Sequence, residues 1–350
     1  MFFNKRLILS AIIIVLFSSF YINKEEKTPE EKGLAAIEVK AIKEYVEFLS
    51  DDKMEGRKTG SAGALQAADY IAVCLNDIGI KPYGESYFQD FDTEEIRELF
   101  TSESYNPIYS FFLNKSLPLR NVLGVIEGQN KDEYIIVGAH YDHIGTTSNI
   151  SDDHIYNGAD DNASGVSAVL QIAKAFLNTG DTPSRTIIFA FWDAEEAGLI
   201  GSQCFAASFS DINKVKSYLN LDMIGRNNKD DSGSQVAFIY SDSTSNYDSI
   251  IKGEIEKHKL NLELVTDVNS INSDFSNGSH NNYLYMIFRR SSDHASFEKK
   301  GIPIFLYTTG LHSDYHKVSD HAENINWEKL TNITKLSFLT LYMLANPATF

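Results

Sequence analysis

Tyr134-Ile135-Ile136-Val137-Gly138-Ala139-His140-Tyr141-Asp142, followed by Gly158-Ala159-Asp160-Asp161-Asn162-Ala163-Ser164-Gly165, decides the fold. The apolar run Tyr134–Val137 leads straight into His140, and a polar loop then delivers paired carboxylates to the start of a small-residue helix, Ala163–Phe176. A short apolar run that ends in histidine and carboxylate reads as a buried strand whose carboxyl end opens onto a site. Histidine and carboxylate together suit a hard-to-borderline cation.

Further strands follow on either side. Asn121–Ile126, Thr186–Trp192, Ser217–Asp222, Gln235–Tyr240 and Pro303–Tyr307 are apolar runs of strand length bounded by turn residues. Ala35–Leu49, Ala62–Ile78, Leu199–Phe209, Tyr247–Lys259, His294–Lys300 and Trp327–Leu344 carry helical patterns. The helix from Ala62 is closed by Gly79, with Pro82 beyond, and is preceded by the glycine-rich loop Met54–Gly63. Strands alternating with helices imply an α/β domain with a largely parallel central sheet. Phe91–Leu119 is irregular and aromatic and reads as surface structure.

The chain has 350 residues and 43% hydrophobic content, enough to bury a full core. A net charge of -17 excludes nucleic acid as a partner, since phosphate binding needs a basic surface. Lys5-Arg6 precede an apolar stretch, Leu7–Ile22, that is short for a membrane span of roughly 20 residues. Residues 1–22 therefore read as an export signal or an uncleaved N-terminal anchor, the latter tethering the protein to a membrane. Either way the protein is expected outside the cytoplasm: periplasmic, extracellular or anchored. Residues 23–34 read as a charged linker, and 35–350 as one catalytic domain. Of the two cysteines, Cys74 shares a helical face with Ile71, Leu75 and Ile78 and reads as a buried thiol. Spacing leaves open whether it pairs with Cys204.

The candidate ligands each follow a strand or open a helix: His140, Asp160, one of the pair Glu195-Glu196, Asp222 and His316. Loops at the carboxyl ends of parallel strands share one face, so these separated residues can converge. Two histidines and three carboxylates suit two zinc ions that share a bridging carboxylate. Such metals, about 3.5–4 Å apart, acidify a water and stabilise a developing oxyanion. Glu195 and Glu196 are adjacent, so one can ligate while the other remains free to carry a proton. Asp142 can accept the ring N–H of His140 and fix its tautomer. Of the remaining histidines, His258 reads as exposed, and His154 and His280 lie in polar loops without metal spacing. His143 and His312 lie near the site in sequence, where structural readings serve at least as well as functional ones.

The sequence resembles the co-catalytic two-zinc aminopeptidase family, which includes secreted bacterial leucyl aminopeptidases and has glutamate carboxypeptidase and glutaminyl cyclase as relatives. The matching motifs are Gly138–Asp142, Gly158–Gly165, Ala194-Glu195-Glu196-Ala197-Gly198-Leu199, Asn220–Gly225, Ser292-Asp293-His294, and Asp314-Tyr315-His316 with Asp320. Met54–Gly63 resembles the family's N-terminal signature, and Lys317-Val318 departs from its usual Thr-Pro. The resemblance implies a three-layer zinc-peptidase fold: a mixed, largely parallel central sheet flanked by helices. It implies that Asp160 bridges two zinc ions, with His140 and Asp222 completing one site and Glu196 and His316 the other. Glu195 would be the general base and then acid, and Asp142 the partner of His140. Tyr315, Asp293 and His294 would lie near a peptide substrate, and the Asp160–Asp161 peptide would be cis. The expected activity is removal of N-terminal residues from peptides. Alternatives are glutaminyl cyclisation on the same fold, an acyl transfer with one zinc, and a non-catalytic ectodomain.

Overall fold

Alternate residues along the central strands face opposite helical layers. Ile135 and Val137, with Ile187, Phe189 and Phe191, pack into one apolar core. Ile136, with Ile188, Ala190 and Trp192, packs into another on the reverse face. A strand buried on both faces can be apolar throughout, which is why these runs lack a polar alternation.

The structure is a computed structural model that describes residues 26–91, 117–148, 153–227, 233–244, 247–266 and 291–347. The expected export segment, most of the aromatic tract 91–119 and His280 lie outside the described residues. In chain order the helices are α1 (Pro29–Ala35), α2 (Val39–Leu49), α3 (Ala62–Ile78), α4 (Gly165–Thr179), α5 (Ile200–Ser208), α6 (Tyr247–Lys257), α7 (His294–Glu298) and α8 (Trp327–Ala345). The strands are β1 (Lys81–Pro82), β2 (Phe88–Phe91), β3 (Leu119–Ile126), β4 (Asn130–His140), β5 (Gly145–Thr146), β6 (Ile155–Tyr156), β7 (Arg185–Trp192), β8 (Val215–Leu221), β9 (Gln235–Tyr240), β10 (Glu263–Val265) and β11 (Ile304–Thr308).

Among the described residues nine strands form one sheet in the order β1-β3-β7-β4-β8-β11-β9-β10, with β2 also on β3. The central strands β7, β4, β8 and β11 are parallel. The pairings β3·β7 and β9·β11 that flank them are antiparallel. Helices α2, α3, α4, α6 and α8 contribute to the first core, and α5 and α7 to the second, giving three layers. Helix α4 lies against the sheet beneath α2 and α8, and its Gly, Ser and Ala residues let these elements approach. At Gly165 a Cβ would lie 2.4 Å from the Leu221 carbonyl oxygen, so the start of α4 can sit against β8 only without a side chain.

The charged stretch read as a linker is partly helical. Thr28 and Glu31 form a reciprocal capping box, Pro29 occupies the first turn, and α1 runs to Ala35. Gly33 packs against Phe338 of α8. The helix expected from Ala35 begins instead at Val39. No helix among the described residues is long and apolar enough to cross a membrane.

Candidate metal centre

Sheet register brings the site together. His140 ends β4 opposite Trp192 of β7. Gly138 pairs with Asn220 of β8, which places Asp222, two residues on, at the level of His140. Gly138 cannot be larger: a Cβ there would meet the indole Nε1 of Trp192 at 2.6 Å and the Tyr218 hydroxyl at 2.8 Å. These two groups are hydrogen-bonded over the glycine, and the Tyr218 hydroxyl in turn donates to Asn220.

His140 Nε2 lies 3.3 Å from Asp161 Oδ1 and 3.5 Å from Asp222 Oδ1. His316 Nε2 lies 3.2 Å from the other Asp161 oxygen and 3.3 Å from Glu196 Oε2. One carboxylate, Asp161, therefore stands between two groups of donors. His143 joins the second group, its Nδ1 2.8 Å from Glu196 Oε1 and 3.8 Å from Asp161 Oδ2. Glu195, beside Glu196, turns towards His140, with Oε2 3.9 Å from Nε2.

The shared carboxylate is thus the neighbour of the residue expected. Asp160 faces away: its Oδ1 accepts the Gly225 N–H at 2.6 Å and its Oδ2 lies 3.3 Å from His312 Nε2. The cis peptide likewise falls one residue later, at Asp161–Asn162. The loop is not regular there, so adjacent side chains diverge. Asp320 Oδ2 accepts the N–H groups of both Asp160 and Asp161 at 3.0 and 3.1 Å. Asn162 reaches the end of β8, donating to the Leu221 carbonyl and accepting from Met223 N. Arg57, 1% exposed, donates to the carbonyls of Leu49, Tyr141, Asn157 and Gly158. This explains the glycine-rich loop before α3: it places a guanidinium under the carboxylate-bearing loop.

Asp142 acts differently from expectation. The ring nitrogen Nδ1 of His140 is 3.2 Å from the Asp142 backbone carbonyl and 3.8 Å from its carboxylate. An Nδ1–H donated to that carbonyl leaves Nε2 as the free donor atom. The carboxylate instead accepts the N–H groups of Glu195 and Glu196 and the Thr59 hydroxyl. It anchors the turn that carries both glutamates.

The charges call for a cation. Burial lowers the pKa of His140, yet Glu195, Asp161 and Asp222 hold it well above its ordinary value. Burial opposes ionisation of Asp161, but His143, His140 and His316 keep it well below the usual carboxylate range. Burial and neighbouring carboxylates push Glu195 well up. The donor separations of 3.2–3.5 Å match the edges of a tetrahedron around an ion with bonds of about 2.0–2.2 Å. Two sets of nitrogen and carboxylate donors sharing one carboxylate fit a pair of zinc-like ions.

His140, Asp161, Glu195, Glu196, Asp222 and His316 open onto a cavity of about 280 Å³. Tyr315 also lines it, stacked on His316 with ring centres 3.8 Å apart. Asp293 and His294 are fully buried and do not line the cavity; Ser291 and Ser292 do. The expectation of substrate contact thus moves from the first pair to the serines before it. His258 is not exposed: its Nε2 lies 3.0 Å from Glu30 and 3.2 Å from Glu254, clamping α1 to α6. The contributions of Asp161, His143, Arg57 and His312 escaped the sequence reading. The adjacency of Asp160 with Asp161, and of Asp142 with His143, was the available signal, but spacing cannot say which neighbour turns inward.

Known proteins resemble this chain in sequence and in fold. A segment of 120 residues is 38% identical to a "Glutamate carboxypeptidase 2 homolog" of Caenorhabditis briggsae, covering 32% of this chain and 14% of that protein. A segment of 205 residues is 28% identical to "Leupeptin-inactivating enzyme 1" of Streptomyces exfoliatus, covering 58% of this chain and 38% of that protein. The chain thus spans less than half the length of either relative. A zinc aminopeptidase from Bacillus subtilis shares the fold, with TM-score 0.61, 18% identity, and coverage of 89% of this chain and 96% of that one. The profile of Peptidase family M28 matches residues 121–341, a span that begins in β3, includes His140, His143, Asp161, Glu195, Glu196, Asp222 and His316, and ends in α8. The chain belongs to peptidase family M28.

Proposed function

We propose that the protein is an exported zinc-dependent exopeptidase, an aminopeptidase that hydrolyses N-terminal residues from peptides. One observation carries the reading: a free glutamate, Glu195, faces a cavity floored by two donor groups that share Asp161. One zinc would be held by His140, Asp161 and Asp222. The other would be held by Asp161, Glu196 and His316, with His143 on Glu196. When bound, two zinc ions polarise a carbonyl and acidify water.

The chain's own residues do the rest. Glu195 takes a proton from the water that adds to the scissile carbonyl and passes it to the amine as the C–N bond breaks. Asp142 fixes the turn from which Glu195 projects, so base and donors keep one spacing. Tyr315 and the Ser291-Ser292 segment wall the cavity in which the peptide terminus would lie. Export rests on the segment Leu7–Ile22.

The test is hydrolysis of one short peptide, unblocked and N-acetylated, by zinc-loaded protein. Release of the first residue from the unblocked peptide alone is the expected result. Cleavage of both forms would overturn aminopeptidase action in favour of carboxypeptidase or endopeptidase action. Cleavage of neither, with cyclisation of an N-terminal glutaminyl peptide, would favour the acyl-transfer alternative. Glu195→Gln should keep its zinc and lose about 10²–10⁴-fold in kcat; near-full turnover by this variant would remove Glu195 as the base.

A further inference from the structure

Five segments bring donors to the metal centre, and three of them are the tail of β8 with Asp222, the loop with Asp161, and the loop after β11 with His316. One side chain outside the centre touches or reaches all three. Arg226 lies four residues beyond Asp222 on the β8 tail. Its Nη2 donates to Asp314 Oδ2, two residues before His316. Its Nη1 lies 3.6 Å from Asp320 Oδ1, and the other oxygen of Asp320 accepts the N–H groups of Asp160 and Asp161. Asp314 is braced further by the Ser319 hydroxyl at 2.7 Å, and its N–H donates to His312 Nδ1 at 3.2 Å. His312 Nε2 faces Asp160, which closes the circuit onto the Asp161 loop.

The side chains of Asp160, Asp320 and His312 are at most 2% exposed, and that of Arg226 is 11% exposed. Three carboxylates, Asp160, Asp314 and Asp320, thus meet one guanidinium and one imidazole beside a carboxylate-rich centre. A planar guanidinium can serve two carboxylates at once; an ammonium cannot reproduce that fork.

We infer that Arg226 is a positioning residue for the metal centre, holding Asp161 and His316 in register through Asp320 and Asp314. The inference rests on the metal reading above. Outer residues that orient ligands typically change metal affinity by about 10–100-fold.

The experiment is zinc titration of full-length protein, first stripped of metal, against a chromophoric chelator, with thermal unfolding of the metal-free forms alongside. Arg226→Met should bind zinc at least about tenfold more weakly. Arg226→Lys should recover part of the loss, and Asp314→Asn should add little to Arg226→Met. Wild-type affinity and stoichiometry in Arg226→Met, with only a lower melting temperature, would make Arg226 a structural residue and overturn the inference. If Arg226→Met does not fold, Arg226→Lys and Asp314→Asn decide: wild-type zinc affinity in both overturns it, and weakening in both supports it. Absence of zinc binding by the wild-type chain would overturn the metal reading itself, and the inference with it.

Discussion

Asp160 and Asp161 are both fully or nearly fully buried, chemically identical and adjacent, yet they face different partners. Asp161 meets His140 and His316; Asp160 meets Gly225 and His312. The prediction is asymmetric. Asp161→Asn should abolish tight zinc binding at both positions, because the shared carboxylate is lost. Asp160→Asn should leave zinc stoichiometry at the wild-type value, as read by metal analysis after dialysis. Equal loss in the two variants would refute the assignment. The thiols offer a second test at this scale. Cys74 and Cys204 are buried thiols with no disulfide between them, which decides the pairing that spacing left open. Burial pushes the Cys74 thiol from 9.0 up to about 11. At pH 9 its thiolate fraction should be roughly fiftyfold below that of an ordinary cysteine, and because both thiols are buried Ellman's reagent should label two thiols per chain only after unfolding. The sign follows: this thiol's contribution to stability is full below about 9 and is lost as pH rises through about 11.

At the scale of elements, the strands supply a level edge and the loops supply aim. β4, β7, β8 and β11 end at matching heights because their apolar faces must register with two cores. What orients the loops beyond those ends is a set of buried polar anchors, Arg57 foremost. Its guanidinium joins four carbonyls from the end of α2, the His140 loop and the Asp161 loop. Burial lowers its pKa to about 10, and the nearby Asp161, Asp142 and Asp320 oppose that fall, so it stays charged at neutral pH. Arg57→Met would strand several buried acceptors at about 1–3 kcal/mol each. Chemical denaturation should register a loss of roughly 3–5 kcal/mol, as for a buried charge network stripped of one partner. A change below 1 kcal/mol would mean that other donors replace it.

For the whole molecule, the metal centre is where five chain segments meet. Filling it should stabilise the fold by mass action, about 2.7 kcal/mol at a hundredfold excess over Kd. Chelation should therefore lower the melting temperature by several degrees, and zinc should restore it. An unchanged melting temperature on stripping and reloading would show that the centre forms no part of the folded state's energetics.

The pattern of apolar runs and helical stripes was enough to predict an α/β domain with its donors on one edge of the sheet. The helix Ala62–Ile78 and the strand Gln235–Tyr240 fall where the sequence placed them. That legibility is physical: burial on one or both faces writes itself into local periodicity, and a strand end carrying histidine or carboxylate has few other uses. The helix at Pro29 was missed because a charged stretch hides a capping box. The choice of Asp161 over Asp160, the backbone rather than carboxylate partner of His140, and the recruitment of His143, Arg57 and Arg226 were settled only by tertiary structure. Outside regular structure, neighbouring side chains have no fixed period, and their direction is set by partners far away in the chain: Asp320, Gly225 and Leu49. The sequence alone determined which segments meet at the centre. Long-range hydrogen bonds in a buried, charge-dense space decided which atoms face it.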